Sequence, residues 1–556
     1  MHKIGLLFFL LVSTTFFAQQ EDAWVYLKDK PSASNYIENP LTMLSQRAID
    51  RRINLQIELD SVDVPLEKSY YNQIKKANNI IVLGKSKWLN AIHIQGTIAA
   101  ITELKTDFSF IKHIEFANKS LNTSSKTISK TAMDNHSNKF KNVTKPFNYG
   151  AADTQIKMLK GDFLHQQGLT GKNQIIAVMD SGFPNVNTLP AFKRLRDNNQ
   201  ILGGYNFADR NTNFYTRNNH GTNVLSTIGG YIQDEFVGTA PDAKFYLFIT
   251  EIVESETVLE ETLWVEAAEK ADSLGVDVIN TSLGYSTFDN PNHSYSYQDM
   301  DGKTTFISRG AEIASQKGVL VVNSAGNSGN SAWKYITAPA DAKSVITVGS
   351  VAANRNISFF SSFGPSFDGR IKPEILAMGG ASAVIHHISG EVVNFSGTSF
   401  SSPIMAGLIA CLNDNAGFLL KSSSKTLPKN WNAYLKEAVY TSADRYVNPT
   451  AQHGYGIPNF DQALQNYKAS TASLLYNNFI NLKVFPNPTA TIFNVDGLAD
   501  GLKSYQLELF DVLGKQIKPQ INYTINQIDI SLLNSGIYFL KITKDNQQKT
   551  IKIIKQ

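Results

Sequence analysis

The chain has almost no cysteine: Cys411 stands alone among 556 residues. A single thiol excludes an intramolecular disulfide, so an exported chain of this size has to hold together through large cores or bound ions. Cys411 lies in the apolar run PIMAGLIACL and reads as a small buried hydrophobe, not a reactive thiol. An excess of charge of one sign is missing as well. The 52 basic and 48 acidic residues leave a net charge of +4, too little to argue for nucleic acid or an anionic membrane as partner. No segment reaches the roughly 18 consecutive apolar residues of a membrane helix, so no stable membrane span is expected. No zinc motif of the HExxH kind occurs.

What is present divides the chain into segments of different texture. The N-terminus, MHKIGLLFFLLVSTTFFAQQ, places His2 and Lys3 before an apolar run from Ile4 to Phe17 that ends at Ala18. This is the layout of a secretory signal peptide over residues 1–18, with Phe16 standing where a small residue is preferred before the cut. Residues 23–117 alternate apolar runs (AWVYL, IIVLGKSKWLNAIHI, FSFIKHIEF) with helical patterns (LTMLSQRAIDRR, YYNQIKKANN, TIAAITELK), which predicts a small α/β unit with an antiparallel sheet. Residues 118–148 are rich in Asn, Ser, Thr and Lys and read as a flexible, protease-sensitive linker.

Residues 149–468 repeatedly pair β-branched runs (QIIAVMD, AKFYLFIT, VDVINTSL, GVLVVNSAG, SVITVGS) with amphipathic helical patterns such as VLEETLWVEAAEKADSLG and FISRGAEIASQKG. Continuous apolar strands separated by helices predict an α/β domain, a mostly parallel sheet with helices on both faces. Reactive groups in such a sheet gather just beyond the carboxyl ends of its strands. Residues 482–556 change again, to short alternating strands punctuated by Gly, Asn and Asp, and predict a β-sandwich without a cluster of acid, base or nucleophile.

Four residues of the middle segment carry chemistry. QIIAVMDSGF ends an apolar strand on Asp180; alone, such an aspartate is a turn or cap residue. NNHGTNVLSTIGG puts His220 ahead of a small-residue helix. GTSFSSP sets Ser399 among small residues, with Pro403 at what reads as the first turn of a helix, where a serine is also a common cap. NSAGNSG carries Asn327 in the loop after an apolar strand. Together the types are complementary. A nucleophilic serine needs a base within hydrogen-bond reach, the base needs a third group to hold its tautomer, and a side-chain amide can donate to the oxyanion of a tetrahedral intermediate.

With these motifs, in the order Asp, His, Ser, the segment resembles the subtilisin-like serine proteases. DSG at Asp180, HGT at His220, SLG at 282–284, SAGN ending at Asn327 and GTSFSSP around Ser399 match the family pattern, and GTAPDAK, KPEILAMGG and GYGIPNFDQAL match lesser landmarks. The resemblance implies Ser399 as nucleophile, His220 as general acid and base, Asp180 as orienting carboxylate and Asn327 as oxyanion donor. It also implies that Ser282, Leu283 and Gly284 pair with extended substrate, and that Ser324, Ala325 and Gly326 wall the pocket for the residue at the cleaved bond. Departures from the pattern are Asn223 in HGTNV, Phe400 in GTSFSSP and Met378 in KPEILAMGG; none removes a catalytic group.

The flanks are read through the same resemblance. The 23–117 unit and its linker stand where these proteases carry a propeptide that assists folding and blocks the cleft. The tail, with VFPNPT, FDVLGK and SGIYFLKI before a Lys-rich end, resembles a type IX secretion sorting domain, which implies export and either release or surface attachment. Expected partners are therefore protein or peptide substrates, the chain's own propeptide and the type IX machinery. The chemistry itself requires no cofactor. Structural calcium is possible at FDNPNHSYSYQDMDGKT, which offers Asp289, Asn292, Asp299 and Asp301 without regular calcium-loop spacing. His386 and His387 are adjacent on an apparent strand, so they are expected to point to opposite faces and not to share an ion. The alternatives are a catalytically silent relative that binds at the surface, and an adhesin acting through its tail.

Overall fold

The strand Gln20–Leu27 shows how the N-terminal unit is built. Ala23, Val25 and Leu27 enter one apolar cluster while Trp24 and Tyr26 enter another, the period-two signature of a strand covered on both faces. In the computed structural model, which describes residues 20–122, 147–422, 431–475, 479, 482–498, 501–544 and 547–556, it lies inside an antiparallel four-stranded sheet. The order is Ile80–Ser86, Ala91–Thr97, Gln20–Leu27, Ile111–Phe116. Helices Lys68–Lys75 and Ile98–Asp107 cover the Val25 face with Ile74, Ile101 and Leu104. The Trp24 face lies on helices Leu259–Leu274 and Phe306–Gln316: the Trp24 ring stacks on Phe306 with centroids 5.0 Å apart, and its Nε1 donates to Thr262 Oγ1 at 3.0 Å. The signal-peptide segment and positions 123–146 of the linker lie outside the described residues; Lys119–Leu121 form a single helical turn.

The middle domain is built on a seven-stranded sheet in the order Ile375–Met378, Ile346–Val351, Leu320–Ser324, Val278–Thr281, Ile175–Asp180, Lys244–Ile249, Ile201–Asn206, and every pairing in it is parallel. Neighbouring residues of one strand show that both faces are covered. Asn280 accepts from Ser402 of the helix Thr398–Ser422, whereas the next residue, Thr281, accepts from Trp264 of the helix Leu259–Leu274. The two outermost strands, Ile201–Asn206 and Ile375–Met378, have weak sequence signals: one carries Gly203 and Gly204, and the other is four residues long. Strand order reverses direction beside Ile175–Asp180, which places a crevice at the carboxyl ends there.

A hairpin, Ser382–Ile385 with Val392–Phe395, follows the sheet. It corrects one expectation: the strand stops at Ile385, and His386 and His387 occupy the turn closed by Gly390, so their rings lie 4.8 Å apart and not on opposite faces. The C-terminal unit is separate in its internal contacts. It consists of two antiparallel four-stranded sheets that share a core including Phe493, Val495, Ile528, Leu509, Leu540 and Ile542, as expected of a β-sandwich. Among the described residues no helix is long and apolar enough to cross a membrane.

Candidate active site

Asp180 is the last residue of its strand and is 1% exposed. Its Oδ1 accepts from the Ser181 N–H at 2.8 Å and lies 2.8 Å from Nδ1 of His220. His220 opens the helix His220–Gly229, and its own N–H donates to Asn218 Oδ1 at 3.0 Å. The strand end and the helix start can approach this closely because residue 221 is glycine: a Cβ there would fall 2.4 Å from Gly182 O and 2.9 Å from Asp180 Cβ. Burial disfavours the imidazolium, but the Asp180 carboxylate outweighs it, with a smaller contribution from Glu251, and the His220 pKa is raised to about 9. The imidazole is 32% exposed, so its far nitrogen is open to the crevice.

Ser399 lies in the first turn of the helix Thr398–Ser422, so it is not the cap residue, and Pro403 falls in the second turn instead of the first. The displacement has a consequence. Proline has no N–H to give the carbonyl four residues back, which is that of Ser399. That oxygen accepts from Ser282 Oγ at 2.9 Å, and Ser399 Oγ in turn donates to Ser282 O at 3.3 Å. Ser282 is thereby tied to the backbone and hydroxyl of Ser399. Phe400, the residue that departs from the pattern, is 4% exposed, and its ring stands 6.0 Å from that of His220 and 6.2 Å from Phe395. It forms an apolar backing to the imidazole.

Asn327 Oδ1 accepts from both the N–H and the hydroxyl of Thr398, at 2.8 and 2.9 Å. This fixes the amide so that its Nδ2 faces the start of the serine helix: a Cβ built on Gly397 would sit 3.6 Å from Asn327 Nδ2 and 3.7 Å from Ser399 N. Two donors converge there, at a helix N-terminus where backbone amides lack intrahelical acceptors. Segments 282–284 and 324–326 are held side by side by Asn323, whose Nδ2 donates to Leu283 O at 3.2 Å and Ser324 O at 2.7 Å. Ser282, Leu283, Ser324 and Ala325 are buried, while Gly284 is exposed. Gly284 and Gly326 both abut Thr337, whose Oγ1 would lie 2.2 and 3.3 Å from a Cβ at those positions. Thr337 stands in none of the sequence motifs and had no signal to find it by.

The residues offered for calcium do not fit an ion. Asp299 pairs with Lys119 at 2.7 Å and caps Ser296, Asp301 accepts from the N–H groups of Lys303 and Thr304, and Asp289 accepts from the Glu256 N–H. Asn292 meets the loop through its own N–H, which donates to Asn290 Oδ1. No group of three or more His, Cys, Asp or Glu able to hold a metal occurs among the described residues. Cys411 is fully buried, with Sγ 3.3 Å from Thr239 O, and burial pushes its thiol pKa up.

A buried carboxylate bonded to an imidazole at the carboxyl ends of a parallel sheet, with a serine in the first turn of a helix, is an arrangement suited to the chemistry of serine-type peptidases. Family models agree along the chain. Residues 171–457 match the Subtilase family, residues 22–135 the Peptidase S8 propeptide domain of Bacteroidota, and residues 483–556 a secretion system C-terminal sorting domain. The chain belongs to the Subtilase family. It is 30% identical to Subtilisin DY of Bacillus licheniformis over 259 residues, 46% of this chain and 82% of that protein. It is 28% identical to Subtilisin NAT of Bacillus subtilis subsp. natto over 317 residues, 56% of this chain and 70% of that one. Its fold is similar to that of the epidermin leader peptide processing serine protease of Staphylococcus aureus, with TM-score 0.51 and 18% identity, covering 80% of this chain and 99% of the other. The tail is a type IX secretion sorting domain and marks the chain for secretion or the cell surface.

Proposed function

We propose that this is a secreted serine endopeptidase, made as a zymogen, that cleaves proteins through an acyl-enzyme formed on Ser399. His220 takes the Ser399 proton as Oγ attacks the carbonyl, and later returns it to the leaving amine. Asp180 holds the imidazole in the tautomer that accepts at Nε2 and stabilises the imidazolium. A rotation about the Ser399 Cα–Cβ bond moves Oγ from Ser282 O toward His220. The oxyanion forms where the Asn327 amide and the Ser399 N–H converge. Water then attacks the ester with His220 again as base. None of these steps draws on a cofactor.

Segments 282–284 and 324–326 would take the substrate as an added strand, main chain on Gly284 and side chain toward Ala325. The 20–122 unit would act as propeptide, and the tail would engage the type IX machinery. The observation that carries the reading is the 2.8 Å bond between Asp180 and His220, whose imidazole stands 6.0 Å from the ring of Phe400, the residue after Ser399. Ser399→Ala is expected to lower casein hydrolysis by about a million-fold. Hydrolysis unchanged in the purified variant would overturn the mechanism.

A further inference from the structure

Three adjacent strands end at the crevice. Val278–Thr281 runs into Ser282–Gly284, Ile175–Asp180 ends on the carboxylate, and Lys244–Ile249 runs into Thr250 and Glu251. The register locates the third. Ile249 lies opposite Asp180, and the Thr250 N–H donates to the Asp180 carbonyl at 3.0 Å. Glu251 therefore stands beyond the Asp180–His220 pair, on the side away from Ser282–Gly284. Farther along, the loop returns toward the segment after Gly284: the Asp289 N–H donates to Glu256 O at 2.9 Å, and the Glu256 N–H to Asp289 Oδ2 at 3.1 Å. The two segments are thus tied together at Glu256 and Asp289.

Two carboxylates of this loop, those of Glu251 and Glu256, have no hydrogen bond or ion pair among the described residues, and of the two Glu251 is the one that the register sets against the Asp180–His220 pair. Glu260 accepts from the Ile252 and Thr257 N–H groups, and Glu254 faces Arg217. The Glu251 side chain is half-buried and has no hydrogen bond or ion pair among the described residues. Burial and the Asp180 carboxylate push its pKa up to about 7, and the pull of His220 does not offset them, so the carboxylate lacks a cation bonded directly to it. Such a group is relieved by a cation that arrives with the substrate.

Strand geometry says which substrate residue brings it. Side chains of a strand laid on Ser282–Gly284 alternate in direction. The residue whose carbonyl is attacked faces the Ser324–Gly326 wall, so the residue before it faces the opposite way, across His220. We propose that Glu251 is a specificity-determining residue that selects a lysine or arginine at the substrate position immediately preceding the residue at the cleaved bond. This rests on the serine-peptidase reading above.

The test uses the processed, secreted enzyme and peptides that differ at that position alone: lysine, isosteric norleucine, or glutamate. The kcat/KM ratio of lysine to norleucine peptide is expected to be on the order of tenfold, the worth of one charge-assisted contact. Glu251→Gln is expected to bring that ratio near one, and Glu251→Lys to favour the glutamate peptide. A fluorophosphonate that labels Ser399 in each variant reports that the site is folded. A ratio near one in the unmodified enzyme, or a ratio that Glu251→Gln leaves in place, overturns the assignment while labelling persists. Loss of labelling in the unmodified enzyme overturns the peptidase reading itself, and the assignment with it.

Discussion

His220 sits between two opposed influences, burial that favours the neutral ring and a carboxylate 2.8 Å away that favours the charged one. The carboxylate prevails, so the free enzyme holds the imidazole protonated below about pH 9, and a protonated imidazole cannot accept the Ser399 proton. The kcat/KM profile is expected to climb about tenfold per pH unit toward that value and then level off. Asp180→Asn removes the main influence that raises the pKa and leaves only the smaller one of Glu251 against burial. Its ascending limb is expected to move to lower pH, while the maximum falls by about 10⁴-fold through loss of the tautomer. A limb that stays in place in that variant would show that Asp180 does not set the proton affinity of His220. At this scale the sequence was legible where a residue type stood in a motif. Asp180, His220, Asn327 and Ser399 all appear there, and the fold gathers them. Glu251 and Thr337 were not legible, because a glutamate after an apolar run and a threonine before an alanine look the same at any surface loop.

The elements that bring the site together depend on close approach. Strand Ile175–Asp180 and helix His220–Gly229 touch where Gly221 meets Gly182 and Asp180, with backbone on the opposing side that cannot rotate away. Gly221→Ala forces His220 outward from Asp180. Activity is expected to fall by at least a hundredfold, since an ångström of misplacement costs about that much. Parallel loss of stability is expected to be about 1–3 kcal/mol from overpacking. Full activity in a Gly221→Ala enzyme would mean that the helix start has slack that the geometry denies. The sequence pattern located the strands and helices of the two α/β units because their apolar periods differ, two against 3.6. It misplaced Pro403, since the start of a helix rich in serine and threonine has many candidate caps, and tertiary contact with Asn327 decides among them. It also extended a strand through His386 and His387. Turn formation there depends on Gly390 and on pairing with Val392–Phe395, which is a cross-strand property.

The contact between the N-terminal unit and the catalytic domain is charged as well as apolar. Arg51 and Arg52 of the helix Gln46–Asn54 both reach Asp272 near the end of the helix Leu259–Leu274; Arg52 also bonds Asp63 at 3.0 Å, and Lys317 bonds Asp63 at 2.9 Å. Asp63 and Asp272 are fully buried and Arg52 nearly so. No sequence pattern pairs RAIDRR with an aspartate more than two hundred residues away, so this part of the interface was not legible, although the two units it joins were. Charges removed from water this completely depend on one another: deleting one leaves its partners buried and uncompensated, at about 3–5 kcal/mol. In full-length protein kept intact by Ser399→Ala, Asp272→Asn is therefore expected to lower the unfolding free energy of the first transition in urea by about 3 kcal/mol. The same change in processed enzyme, from which Arg51 and Arg52 have left, removes a carboxylate that has lost both guanidinium partners, and is expected to be neutral or mildly stabilising. The difference between the two measurements separates a bond across the interface from a role within the catalytic domain. Equal losses in both forms would place the contribution of Asp272 inside the catalytic domain and leave the Lys317–Asp63 pair and the apolar packing around Trp24 to hold the N-terminal unit in place.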